Sequence, residues 1–291
     1  MVAAVLFALG AAASIALASA LQHHAATGVP DYRTGVHLVA RLARNRRWLL
    51  GFAISAAGLA LHAVALHFGA LAIVQPLLVT SLVFALPLRA LLDHEFPSMA
   101  ELAGALVVVL ALTGFLLVAY PTKGHAGAAG EASAWIVGIG IVLTAACSSI
   151  ATRTHSGRVA GFALGMATGV LYGLVGGSLK ATVHVAAGGT VALISHWPLW
   201  VLVVTGVWAL VVNQRAYTHA PLRVSLPVLT VANPIVAVIF GAYVYDEKPG
   251  DSPTAVALQV VWLVVLAAGV TLLATHVPAE SPPTAGDVPA A

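Results

Sequence analysis

The sequence predicts an all-α fold, a polytopic membrane bundle of about nine transmembrane helices arranged as two inverted repeats. Three observations carry that expectation. Of 291 residues, 60% are hydrophobic and 8% charged, with a mean hydropathy of +0.98, whereas an ordinary soluble domain carries about 25% charged residues. So few charges cannot cover a soluble surface. Apolar runs recur at the length a bilayer demands, about 20 residues for a hydrocarbon core about 30 Å thick at about 1.5 Å of rise per residue. Finally, arginines gather in alternate loops between those runs.

In chain order the runs fall near 2–21, 48–68, 70–91, 101–120, 134–151, 159–183, 198–217, 220–244 and 254–275. After the first run Ala18-Ser19-Ala20 resembles a signal-peptidase site, but residues 1–17 hold no Lys or Arg. A leader normally begins with positive charge, so this run reads as a retained span. The second and third spans meet at Gly69 and the seventh and eighth at Pro221, which reads as two tight helical hairpins. Alternation of nine spans then puts every arginine on one side: Arg33, Arg41, Arg44, Arg46, Arg47, Arg89, Arg153, Arg158, Arg215 and Arg223. Lys123 and Lys248 fall on the other side, as does Lys180 near the end of the sixth span. Basic loops stay cytoplasmic, so the expected orientation in the cell membrane is N-terminus outside and C-terminus cytoplasmic.

Residues 1–277 read as one transmembrane domain with halves at about 1–121 and 134–277. The remaining 278–291, rich in Pro and Ala with Glu280 and Asp287, reads as a disordered tail. The net charge of +3 is accounted for by loop arginines without a basic amphipathic patch, so nucleic acid is not an expected partner. Cys147 is the single cysteine. It cannot form a disulfide within the chain and reads as a small buried side chain.

The halves share sequence at an offset of 152 residues, which carries His67 onto His219 and Glu95-Phe96-Pro97 onto Glu247-Lys248-Pro249. Between these anchors each copy holds a proline-bearing span, with Gln75-Pro76 in one and Pro227 and Asn233-Pro234 in the other. The matched spans are five apart, an odd number, so the copies insert in opposite directions. This order of hairpin, proline-bearing span, acidic turn (Asp93-His94-Glu95-Phe96-Pro97; Asp246-Glu247-Lys248-Pro249) and final apolar span resembles the EamA-type repeat of the drug/metabolite transporter superfamily, over about residues 2–275. Members usually have ten spans. Nine spans, with an arginine-rich loop where a further first-half helix would be, resemble the NIPA-type magnesium transporter branch.

The resemblance implies secondary-active transport of a small metabolite or drug-like solute by alternating access between the halves. A NIPA-like divalent-cation carrier and a non-transporting membrane scaffold are the alternatives. The expected partners are the solute and the lipid bilayer, with a homodimer left open. No cofactor, metal site or catalytic residue is expected, because HExxH, GxSxG, Walker A and CxxC patterns are missing from the sequence. All ten acidic residues read as loop, tail or span-end positions, Glu101 lying nearest the membrane interior. Mg²⁺ prefers hard oxygen ligands including carboxylates, which weighs against the divalent reading.

Polar groups in hydrocarbon are costly unless paired or facing a cavity. The candidates are His62 and His67 in the second span, Gln75, Thr80 and Ser81 in the third, Asn213 and Gln214 in the seventh, Asn233 in the eighth and Gln259 in the ninth. Each can simply hydrogen-bond a neighbouring helix. Proline removes an amide donor and frees a carbonyl one turn earlier. Gln75-Pro76 and Asn233-Pro234 therefore suggest a central polar pocket, and the expected substrate-binding set is Gln75, Asn233, Asn213, Gln214, His62 and Lys180. Lys180 has two readings: a snorkelling interfacial residue if the sixth span stops near 179, or a buried ammonium facing substrate if the helix continues. Along that span Gly161, Gly165, Gly169, Gly173 and Gly177 recur every fourth residue, a stripe that lets another backbone approach closely.

Overall fold

The computed structural model describes residues 2–27, 45–92, 96–119, 130–219, 222–247 and 252–276. Every regular element among them is helical: α1 (Val2–Thr27), α2 (Arg46–Phe68), α3 (Leu71–Leu78), α4 (Thr80–Leu92), α5 (Met99–Val118), α6 (Gly130–Arg153), α7 (Gly157–Ala186), α8 (Thr190–Ser195), α9 (Trp197–His219), α10 (Leu222–Tyr245) and α11 (Pro253–His276). The expectations for Arg33, Arg41 and Arg44, the Asp93–Glu95 turn, Lys123, Pro221, Lys248–Pro249 and the 278–291 tail lie outside the described residues. So do the side chains of Arg89, Gln214, His219 and Arg223.

Eight helical stretches among the described residues are long and apolar enough to cross a membrane, with α3 and α4 counted together as Leu71–Leu88. The ninth expected span is α9, 23 residues long with an apolar stretch over Trp197–Asn213. Large aliphatic side chains stay exposed along outward faces, among them Leu106, Leu110 and Leu117 on α5, Val203, Val207 and Leu210 on α9 and Val260 and Val264 on α11. Water would not tolerate so much continuous apolar surface, and lipid does. The chain is a multi-pass membrane protein.

The third expected span is broken. Pro76 cannot donate, so the turn after it tightens: Val79 N donates to Pro76 O at 3.0 Å and Leu82 N to Val79 O at 3.0 Å. Thr80 adds a side-chain bond to Leu77 O at 2.6 Å, so its hydroxyl serves the kink. Helix α10 stays continuous despite Pro227 and Pro234.

Small residues set the helix contacts. A Cβ on Gly51 would lie 3.1 Å from Ala18 O, one on Gly58 3.0 Å from Ser14 Cβ, and one on Gly69 2.6 Å from Ala4 Cβ, so α1 and α2 run antiparallel at close range. On α7, Gly165, Gly169, Gly173 and Gly177 lie against Ser225, Ala232, Val236 and Phe240 in that order, so α7 and α10 run parallel. The stripe is a packing surface, as its spacing predicts. Gly104 meets Leu273 and Gly114 meets Trp262, which makes α5 and α11 antiparallel. Gln75 lies on Gly176 and Gly69 lies beside Lys180, which makes α3 antiparallel to α7 and hence to α10. The repeat-related pairs α3/α10 and α5/α11 thus run in opposite directions, the geometry of inverted halves.

These directions also sort the charges. Arg46 and Arg47 at the start of α2, Arg153 at the end of α6, Arg158 at the start of α7 and Arg215 near the end of α9 belong to one end of the bundle, and Lys180 and Glu247 belong to the other. Glu101 is buried in a capping box at the start of α5, where Ser98 N donates to Glu101 Oε2 at 2.6 Å and Glu101 N to Ser98 Oγ at 3.2 Å. Cys147 is buried among α6, α7 and α9.

Candidate functional site

Helix α7 is 30 residues long and runs past the glycine stripe to Ala186. Lys180 therefore sits within the helix and is 8% exposed. This corrects the interfacial reading: a snorkelling lysine keeps its ammonium in water, whereas here the ammonium is ion-paired with the Glu247 carboxylate. Its Nζ also donates to Gly69 O at 3.0 Å and stands 5.2 Å from the centre of the Tyr245 ring.

Glu247 lies at a span end, two residues beyond α10, yet its side chain is 2% exposed. The cause is local. Asp246 adopts φ of +54°, a left-handed conformation that aspartate tolerates better than most residues. The reversal lets Glu247 N donate to Gly241 O at 3.0 Å and folds the carboxylate back over the end of α10. Gly241 leaves room for it, since a Cβ there would meet Glu247 Oε2 at 2.6 Å. The same oxygen, Oε2, accepts from Leu71 N at 3.0 Å, while Oε1 pairs with the Lys180 ammonium. That amide belongs to the first turn of α3, where N–H groups have no partner within the helix and the dipole favours negative charge. Lys180 and Glu247 thus join three elements, α7 and the end of α10 from the second half and the α2–α3 turn from the first.

Tyr245 completes the cluster. Its hydroxyl donates to Gly177 O at 2.9 Å, and its ring stacks with that of His184 at 6.2 Å between centres. Deeper in the bundle Gln75 Nε2 lies 3.4 Å from His62 Nε2, and both residues are buried. Gly176 makes that position possible, because a Cβ there would overlap Gln75 Nε2.

Of the residues expected from sequence, the structure gathers Lys180, Gln75 and His62 on the side where α2, α3 and α7 meet. Asn233 lies further toward the arginine end, against Gly169 and Gly173, and its buried Oδ1 finds no partner among the described residues. The same holds for Asn213 Oδ1, at the arginine end of α9. The neighbouring Gln214 side chain is outside the described set. A cavity of about 210 Å³ does not lie between Gln75 and Asn233 but at the Lys180 end, lined by residues including Ala181, His184, His196, Trp197 and Tyr245. Among the described residues no three His, Cys, Asp or Glu side chains are grouped to hold a metal ion. Sequence reasoning missed Glu247, Tyr245 and Gly176. The signal for Glu247 was its place as a repeat anchor, which marked a spacing shared between the halves but not an inward-facing side chain.

No family model matches the sequence, and no solved structure matches the fold. The chain is 30% identical over 249 residues to the uncharacterized protein Cgl0250/cg0304 of Corynebacterium glutamicum, an alignment covering 84% of this chain and 85% of that one. Identity and coverage at that level place the two in one family, and the chain belongs to the family of Cgl0250/cg0304.

Proposed function

We propose that the protein is a secondary-active transporter of the drug/metabolite type, set in the cell membrane with its N-terminus outside and C-terminus cytoplasmic, that moves a small solute by alternating access. One observation carries the reading: the buried Lys180–Glu247 pair ties the two oppositely running halves together at the end of the bundle opposite the described arginines. Two halves that merely needed to adhere would do so more cheaply through apolar packing, since desolvating two charges costs several kcal/mol per ion and replacing such pairs by apolar residues is often neutral or stabilising. A junction of charges and backbone polar groups has an alternative that an apolar seam lacks, which is to separate and be hydrated. That is the behaviour of a gate. By the arginine distribution the gate closes the outer face, and its opening would bring solute toward Gln75 and His62, the polar groups behind it.

Protein reconstituted in liposomes tests this with a panel of labelled metabolites, with and without Mg²⁺ as competitor. Protein-dependent uptake by the wild type, reduced at least tenfold in Lys180→Met at equal incorporation, is expected. Silence across a broad panel favours a scaffold, and uptake competed only by Mg²⁺ favours the divalent-cation carrier.

A further inference from the structure

The cavity at the Lys180 end is built between α7, the α8–α9 corner and the end of α10. Its polar lining has a definite sense. His184 Nδ1 lies 2.8 Å from Lys180 O, and His196 Nδ1 lies 2.7 Å from Ala192 O. A carbonyl oxygen only accepts, so in each ring Nδ1 carries the hydrogen. In the neutral imidazole this leaves Nε2 as a lone-pair acceptor. The Tyr245 hydroxyl spends its hydrogen on Gly177 O, and Trp197 contributes an aromatic wall. The lysine behind Tyr245 is neutralised by Glu247. Two imidazole acceptors with aromatic faces form a surface that hydrogen-bond donors satisfy. Carboxylates and phosphates, which only accept, do not.

We propose that this cavity binds a small ammonium group, held by hydrogen bonds to the Nε2 atoms of His184 and His196 and by cation–π attraction to Trp197. An ammonium has three donors and no acceptor, the complement of the two imidazole Nε2 atoms. The site opens where the bundle meets the membrane surface: Val191 and Ile194 on α8 and Trp200 on α9 are exposed, and tryptophan favours that level. Two sources of the group are within reach there, a dissolved organic amine and the headgroup of phosphatidylethanolamine.

Binding is measured on the full chain in phosphatidylglycerol nanodiscs by equilibrium dialysis, so a protein that transports nothing still gives an answer. The probes are benzylammonium, benzyl alcohol and benzoate, alike in shape and different in charge. Saturable benzylammonium binding is expected, with benzyl alcohol at least tenfold weaker and benzoate weaker still. His196→Ala and His184→Ala should each weaken benzylammonium at least tenfold, while His155→Ala, exposed at the other end, should not. His196 is exposed, so its variant does not disturb packing and remains informative if His184→Ala fails to fold. Equal binding of the three probes, or wild-type affinity in His196→Ala, overturns the proposal. Repeating the measurement in phosphatidylethanolamine nanodiscs separates the sources. A raised apparent Kd for benzylammonium supports the lipid headgroup as occupant, and an unchanged Kd supports a dissolved amine.

Discussion

Replacing Glu247 by Gln keeps shape and removes charge, so it isolates what the ion pair contributes. The variant leaves the Lys180 ammonium 8% exposed with Gly69 O as its remaining partner, while the new amide can still accept from Leu71 N. Removing one partner of a buried pair costs about 3–5 kcal/mol, much of it the penalty of the charge left behind. The site is at the end of the bundle rather than its centre, which lets water relax around the lysine and argues for about 3 kcal/mol. For a chain of this size 1 kcal/mol corresponds to roughly 2–4 °C, so the midpoint should fall by about 6–12 °C. The double variant Lys180→Met/Glu247→Gln removes both charges and should recover most of the loss, giving a coupling of about 2 kcal/mol or more. Thermal unfolding in one detergent, followed by tryptophan fluorescence and checked by size-exclusion chromatography, reads all four corners of the cycle. A midpoint within 1 °C of wild type for Glu247→Gln, or a double variant no better than the single, would refute the claim that the pair is desolvated.

Three further outcomes follow from the packing. Gly169→Ala puts a Cβ 2.6 Å from Ala232 Cβ and 2.9 Å from Leu229 O, whereas the Gly138 position is open. Overpacking should cost the first about 1–3 kcal/mol, and helix propensity should stabilise Gly138→Ala by up to about 1 kcal/mol; equal midpoints would contradict the α7–α10 contact. Tyr245→Phe loses the bond to Gly177 O and should cost about 1 kcal/mol by the same unfolding assay. Single cysteines at Arg47 and Arg158, in a Cys147→Ala background, should label with an impermeant maleimide from the same side of the membrane, and one at His196 from the opposite side; Arg47 and Arg158 labelling from different faces would dismantle the topology.

Composition and spacing made the fold legible because lipid allows so few solutions. Apolar runs of sufficient length must be helices, and arginine distribution orders them. The glycine stripe of α7 was equally legible, since its four-residue spacing has one packing meaning. The site was legible only in part. Gln75 and Lys180 stood out as polar residues in or near spans, yet their partners are decided by events that no span plot contains. Lys180 is buried because α7 runs to Ala186 instead of stopping at the stripe, and Glu247 is buried because one aspartate, Asp246, takes a left-handed turn. A carboxylate two residues beyond a span reads as solvated until that turn is known. The surroundings of Gln75 were illegible for a related reason: Gly176 lets Gln75 pack against α7, toward His62.

The two halves are held together by contacts of opposite kinds, and the difference bears on how the proposed transporter would move. Between α5 and α11 the glycines make close apolar contacts: Gly104 receives Leu273, Gly114 receives the Trp262 ring, and Val107 and Val108 press on Gly269. Parting that seam would open cavities and lose dispersion contacts with nothing to replace them. Across α3, α7 and α10 the end of the junction is an ammonium, a carboxylate, a helix-end amide and a carbonyl, all of which water can solvate. Their separation exchanges one set of polar partners for another. Strain applied to the bundle would therefore be released at the Lys180–Glu247 end, with α5 and α11 as the fixed side about which it opens. Small solutes entering there would pass the histidine-lined cavity first and reach the His62–Gln75 pair only after the clamp had parted.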